Sequence, residues 1–121
     1  MARGLGEFEL LMLFAVLRLG EHAYGVAILQ EITRQTGREV SPGAIYTGLD
    51  RLQARGYVTS WEGEATPARG GRRRRYYRLE PVGASSLERS YRNIHQIADG
   101  LLGRLSKLAM CDGGPEWSRV G

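Results

Sequence analysis

Apolar positions recur with a helical period along most of this chain, and the places where the period changes mark its architecture. From Gly6 to Leu19, Glu7 and Glu9 stand where acids suit a helix N-terminus, and an apolar run from Leu10 to Leu17 follows. A helix apolar nearly all round must be covered on most sides. A chain of this length has few layers to cover it, so part of that surface, including Leu10, Leu13 and Phe14, is expected to meet a second subunit. Gly20 ends this helix. Tyr24 to Thr36 reads as a second one, with Tyr24, Ala27, Ile28 and Ile32 inward and Gln30, Glu31, Arg34 and Gln35 outward, stopped by Gly37.

The third helical stretch, Ser41 to Gly56, carries its own punctuation. Ser41 supplies a capping oxygen, Pro42 suits the first turn, Arg55 is a cation in the last turn, and Gly56 is the stop. Ile45, Leu49 and Leu52 form a narrow apolar stripe at i, i+4, i+7. The opposite face holds Gly43, Thr47, Asp50 and Ala54, edged by Tyr46 and Arg51, with no bulky aliphatic side chain among them. Such a low-relief face suits a major groove, although taken alone the stretch also describes an ordinary amphipathic surface helix. Two helices joined by a short turn containing glycine predict a helix-turn-helix, with Ser41 to Gly56 as its reading element.

The period then drops to two. Tyr57 to Trp61 is β-branched and aromatic and reads as a strand, and Arg74 to Leu79 as a second. Between them lie three glycines, Pro67 and Arg69, Arg72 and Arg73, a hairpin with a long basic tip. Tyr77 and Leu79 are expected in the core. Alternation puts Tyr77 with Arg75 on one face and Tyr76 with Arg74 on the other, so at least one of these arginines must point away from a ligand bound to either face. The fold class that follows is mainly α with a small β-hairpin, a winged helix-turn-helix.

Pro81 opens the last element. Leu87, Tyr91, Ile94, Ala98, Leu101, Leu105 and Leu108 keep a heptad seam, predicting a long C-terminal dimerisation helix. Gly100 and Gly103 lie off the seam, each costing about 1 kcal/mol relative to alanine, so its far end is expected to bend or fray. The organisation predicted is residues 1–80 as the DNA-binding domain, with its first helix shared with the dimer interface, 81–108 as the dimerisation helix and 109–121 as a loose tail. The expected interface residues are Leu10, Leu13, Phe14, Leu87, Tyr91, Ile94, Ala98, Leu101 and Leu105.

Composition narrows the function. A chain of 121 residues and 13.4 kDa is one domain. Cys111 is its only cysteine, excluding an intramolecular disulfide, and His22 and His95 stand apart with no ligand-like spacing. No paired carboxylates, metal cluster or activated nucleophile can be assembled from the pattern, so neither enzyme activity nor a metal or cofactor is expected. The longest apolar run is about half of the ~18 residues a membrane helix needs, and no signal peptide is visible at the start, so a cytoplasmic protein without membrane contact is expected.

Charge adds the partner. Arg69, Arg72, Arg73, Arg74, Arg75 and Arg78 fall within ten residues that contain no acid. Subtracting these six from the 17 basic residues leaves 11 against 13 acidic ones, so the positive excess behind the net charge of +4 sits in this one segment. That concentration points to a polyanion, double-stranded DNA.

The chain resembles the PadR-like family of bacterial transcriptional regulators from about Gly6 to Leu108. The resemblance is carried by Gly6-Glu7-Phe8-Glu9-Leu10-Leu11, by Tyr24-Gly25, and by Ser41-Pro42-Gly43-Ala44-Ile45-Tyr46 with Leu49 and Arg51-Leu52. Gly56 and the basic wing leading into Tyr77-Arg78-Leu79 complete it. It implies a homodimer built from the first and last helices, DNA binding through the third helix and wing, and repression relieved by a small molecule in many members. Thr47-Gly48 departs from the proline frequent after the tyrosine in that family, which bears on base preference. Leu79-Glu80 departs from its usual Leu-Thr, a weaker cap for the last helix.

The expected DNA-binding residues are Ser41 and Gly43 at the helix N-terminus, suited to a phosphate, Tyr46 and Thr47 toward a phosphate or a thymine methyl, and Arg51 toward a phosphate or guanine. Tyr46 serves equally well as a ring packed against the wing. Arg69, Arg72, Arg73 and Arg74 are expected to follow the backbone or enter an A·T-rich minor groove; Arg55 reads as a helix-end charge. A dimer would address half-sites about one helical turn, ~34 Å, apart on a palindromic operator, as a repressor. Phe8, Met12, Tyr91 and His95 are candidates for a pocket holding a small apolar or aromatic effector, or else plain core. The rival reading is a winged-helix module that docks another protein without binding DNA; the segregated arginines weigh against it.

Overall fold

The computed structural model describes residues 4–64, 70 and 73–110. They divide between Ser90 and Tyr91 into two compact units. In the first, α1 (Glu7–Leu19) starts on Gly6, whose N–H donates to the Glu9 carboxylate at 2.9 Å, and stops at Gly20, with φ 57°. A 3-10 turn (Gly20–His22) leads to α2 (Gly25–Thr36), closed by Gly37 in the left-handed region. Next comes α3 (Pro42–Ala54), where the Ser41 hydroxyl accepts from the Ala44 N–H at 3.1 Å. This is the side-chain cap that the Ser-Pro start predicts.

The hairpin pairs β1 (Val58–Glu62) with β2 (Arg75–Leu79) in antiparallel register, Val58 opposite Leu79 and Glu62 opposite Arg75. Each strand begins one residue later than its sequence suggests. A third segment joins them: the Tyr77 N–H donates to the Ala23 carbonyl at 2.8 Å and Tyr24 bridges Tyr76. Tyr24 is therefore an extended residue capping α2, not its first helical one. The wing is tied to the helix-turn-helix through backbone hydrogen bonds as well as side chains.

The core draws on every α-helix and both strands of this unit: Met12, Leu13 and Val16 of α1, Ile28 and Ile32 of α2, Ile45, Leu49 and Leu52 of α3, Val58, Tyr77, and Leu87 from the first turns of α4 (Pro81–Ala98). Burying each such side chain contributes about 1.5–3 kcal/mol. Two expectations are corrected here. Leu13, at 0 % exposure, and Leu87, at 3 %, are enclosed by this chain's own core and are not open to a partner. Gly83 brings α4 down onto the chain after α3, since a Cβ there would lie 2.3 Å from the Tyr57 carbonyl oxygen. The first turns of α4 thus belong to the first unit, and the division falls inside that helix instead of ahead of it.

Glu31 is a third correction. Expected to face outward, it is enclosed, and its carboxylate accepts from Gln35 at 2.9 Å and from Arg34. Those two hydrogen bonds hold its pKa below the ordinary carboxylate value against the cost of burial.

The second unit comprises the last turns of α4, Gly100, and α5 (Leu102–Met110). Gly100 adopts φ 77°, so the predicted single long helix is two. The left-handed residue ends α4, and α5 restarts with Leu105 N–H bonded to the Leu101 carbonyl. Residues 91–110 are exposed throughout, including Tyr91, Ile94, Ala98, Leu101 and Leu105. Ala109 and Met110, expected to open a loose tail, are the last residues of α5; the rest of that expected tail, from 111 onward, lies outside the described residues, as does the loop tip at 65–69 and 71–72. No described helix is long and apolar enough to cross a membrane.

Candidate nucleic-acid interface

The geometry of α3 follows from its stripe. With Ile45, Gly48, Leu49 and Leu52 buried, the 100° step of the helix turns Gly43, Thr47, Asp50 and Ala54 to solvent, with Tyr46 and Arg51 flanking them. Ser41 and Gly43 are exposed at its N-terminal end, the Ser41 hydroxyl being engaged as the cap. All five residues expected to touch DNA on this helix lie on one accessible surface.

Tyr46 does two things. Its ring lies across the start of α2, where a Cβ on Gly25 would come within 2.5 Å of its hydroxyl, yet it stays 44 % exposed. Gly25 is thus needed for close approach, and the Tyr24-Gly25 pair serves both wing and reading helix. Gly48 has a similar role on the other flank. A Cβ there would lie 2.4 Å from Met12 Cε, so the absent side chain is where α1 settles onto α3. Gly48 therefore has a packing role that composition alone does not show.

Beside that contact a groove of about 860 Å³ runs between the start of α1 and α3, lined by Phe8, Met12, Gly43, Thr47 and Arg51 among others. Its acids are engaged: Glu7 pairs with Arg38 at 3.1 Å, and Glu9 with Arg55 at 3.6 Å as well as with the Gly6 N–H. Arg55 also lies 4.5 Å from the centre of the Tyr57 ring and donates to its hydroxyl, which fixes it as a clamp on α1 and the end of α3. Of the residues expected around an effector, Phe8 and Met12 line this groove. Tyr91 and His95 belong to the second unit, where their rings stack with centroids 5.8 Å apart.

In the wing, Arg69 and Arg72 lie outside the described residues. Arg73 is exposed. Arg74 is half-buried, its guanidinium 4.0 Å from the centre of the Tyr24 ring, and Tyr24 meets Tyr76 edge to face. Tyr76 in turn stacks on Trp61, and Arg78 lies near the Trp61 ring and 3.5 Å from Glu80. The outer face of the hairpin is thus an aromatic and guanidinium ladder. Arg75 is on the other face with Tyr77 and is exposed. Burial pushes the Tyr77 phenol above its ordinary pKa, Arg75 opposes that shift, and Asp50 and Tyr46 of α3 are close enough to add to it. Sequence reasoning placed Arg74 at the interface and passed over Arg75. Period-two alternation was the available signal, with Tyr77 as the residue that says which face is inner.

Among the described residues no group of three His, Cys, Asp or Glu side chains is arranged to hold a metal. The chemistry this surface offers is hydrogen bonding and charge, directed outward from one helix and one hairpin.

Known proteins share this arrangement. The model of the transcriptional regulator PadR-like family matches residues 13–89. Transcriptional regulator Rv3488 of Mycobacterium tuberculosis is 36 % identical over 86 residues, covering 71 % of this chain and 76 % of that protein. Among solved structures, a transcriptional regulator from Clostridium thermocellum matches with a TM-score of 0.63 at 25 % identity, over 74 % of this chain and 84 % of its own. A PadR family transcription regulator from Clostridium difficile has the same fold, with a TM-score of 0.62 at 24 % identity over 80 % and 99 % of the two chains. A PadR-like regulator from Bacillus cereus shares it too, with a TM-score of 0.67 at 21 % identity over 81 % and 90 %. A winged helix-turn-helix whose matched segment runs from α1 to the first turns of α4, together with these relatives, establishes that the chain belongs to the PadR-like family of transcriptional regulators, DNA-binding proteins and not enzymes.

Proposed function

We propose that the protein is a homodimeric repressor that reads a palindromic operator with a pair of α3 helices. The observation that carries this is the exposed face of α3: Gly43, Thr47 and Ala54 keep its relief low, and an arginine-bearing hairpin stands beside it. Ser41 and Gly43 present the helix N-terminus to a phosphate, Tyr46, Thr47 and Arg51 reach base edges or backbone, and Arg69, Arg72, Arg73 and Arg74 track the adjoining phosphates. Arg75 adds a charge from the opposite, inner face of the wing, beside Tyr77.

In this reading the first unit, through Ser90, binds DNA, and residues 91–108 join the subunits. The partner covers Tyr91, Ile94, Ala98, Leu101 and Leu105, exposed in the single chain, together with Leu10 and Phe14 of α1, which are only partly buried. Exposed apolar side chains recurring at helical spacing along residues 91–108 mark an interaction surface. A small apolar or aromatic effector, bound in the groove beside Phe8 and Met12, relieves repression.

Fluorescence anisotropy with duplex DNA across a salt series tests the binding mode. Replacing Arg72, Arg73 and Arg74 together with alanine is expected to weaken binding to every sequence and to flatten the dependence of log K on log salt by up to ~0.9 per lost phosphate contact. Unchanged affinity and slope would remove the wing from the account. For the effector, tryptophan fluorescence titrated with flat aromatic compounds should respond to at least one of them.

A further inference from the structure

The reading face carries a charge of the wrong sign. Asp50 is exposed at its centre, between Thr47 and Ala54. No hydrogen bond or ion pair with another described residue engages its carboxylate; the side chains three and four positions away, Tyr46, Thr47, Gln53 and Ala54, include no cation, and Arg75 of the wing, which acts with Asp50 on Tyr77, does not pair with it. Its charge is felt within the protein at Tyr77, beneath the wing. A carboxylate without an ion-pair partner among the described residues opposes every phosphate that Arg51 and the wing attract, so it lowers affinity for DNA in general.

The chemistry of the groove shows where that loss is recovered. Guanine N7 and O6, adenine N7 and thymine O4 are all acceptors in the major groove, and an ionised carboxylate is an acceptor only. Two donors face it, the N4 amine of cytosine and the N6 amine of adenine. Adenine sets N7 beside its amine, where it repels the second carboxylate oxygen; cytosine has no such neighbour on its own edge. We propose that Asp50 is a specificity-determining residue of α3, accepting a hydrogen bond from the N4 amine of a cytosine in each half-site and penalising any other base there. This rests on α3 lying in the major groove.

The test uses the full-length protein and a preferred site selected from random duplexes. Wild type is expected to lose roughly tenfold in affinity when one cytosine per half-site is replaced by pyrimidin-2-one, which lacks the N4 amine. Asp50→Ala should bind the two duplexes equally and bind unrelated duplex DNA more tightly than wild type does. Asp50→Asn, whose amide matches adenine N6 and N7, should move the preference at that position from cytosine to adenine. The proposal is overturned if no cytosine in the site is sensitive to loss of its amine, if adenine is the base wild type selects there, or if Asp50→Ala keeps the wild-type preference. Thr47→Ala and Arg51→Ala separate the two levels. If either alters base preference while Asp50→Ala does not, the role given to Asp50 fails alone; if none of the three does, the reading of α3 fails with it.

Discussion

The same pattern in the sequence meets two different fates in this molecule. In α3, Ile45, Leu49 and Leu52 are spaced as an apolar stripe, and the chain buries all three completely. In residues 91–110, Tyr91, Ile94, Leu101, Leu105 and Leu108 keep an equally regular spacing and remain exposed, from 43 % at Leu101 to 61 % at Leu105. Periodicity says which side chains need cover. It does not say which chain supplies it.

The two regions should therefore respond differently to substitution. Leu49→Ala removes side-chain volume from a closed core and is expected to cost about 2–5 kcal/mol, seen as a lower denaturation midpoint at every protein concentration. Ile94→Glu with Leu105→Glu should act on assembly: helical content is retained while sedimentation velocity shows dimer giving way to monomer, at about 2 kcal/mol or more of association free energy. If the double variant instead lowers the midpoint independently of concentration, the exposed stripe has a partner within its own chain.

Two glycines refine the contrast inside the first unit. Gly83→Ala would push against the Tyr57 backbone, whereas Gly48→Ala would push against the flexible end of Met12. Both should destabilise, by about 1–3 kcal/mol, with Gly83→Ala the more costly because backbone yields less than a thioether. Thermal unfolding of the pair gives the ranking, and the reverse order would contradict the packing described.

The smallest effect belongs to Glu31. Its folded pKa is lowered, so its contribution to stability is complete above the ordinary carboxylate range and is lost as pH falls through its own lowered value. Glu31→Gln should flatten the acid limb of a plot of stability against pH and leave the alkaline limb unchanged, as read by urea unfolding between neutral and acidic pH. Tyr77 acts at the other end: its raised pKa stabilises fully below the ordinary phenol range, and that contribution is lost as pH rises through the raised value.

What the sequence could tell was set by how local the cause is. The ends of α3 were readable because a cap and a stop lie within the helix: Ser41 bonds to Ala44, three residues on, and Gly56 takes the positive φ at its end. The exposed face of α3, and so its set of candidate contacts, followed from the same stripe. The uniformly apolar α1 gave no such direction, and Leu13 faces inward only because α2, α3 and the hairpin lie there. Leu87 was read as part of one seam, but Gly83 lets the start of α4 close over the core. The third segment of the wing rests on Ala23 and Tyr24 meeting Tyr76 and Tyr77, a pairing across some fifty residues with no local signature. Gly48 carries no local sign of its role, which is to admit Met12 of α1.

One measurement bears most directly on the claim that two such domains act as a pair. Spin labels placed at Thr47 on α3 through Thr47→Cys, with Cys111→Ser removing the native thiol, report the separation of the two reading helices by pulsed dipolar spectroscopy. The account predicts a single distance close to one turn of duplex DNA, ~34 Å, sharpened when an operator duplex is added. An absence of dipolar coupling, or a distance that no pair of successive major grooves can span, would contradict it.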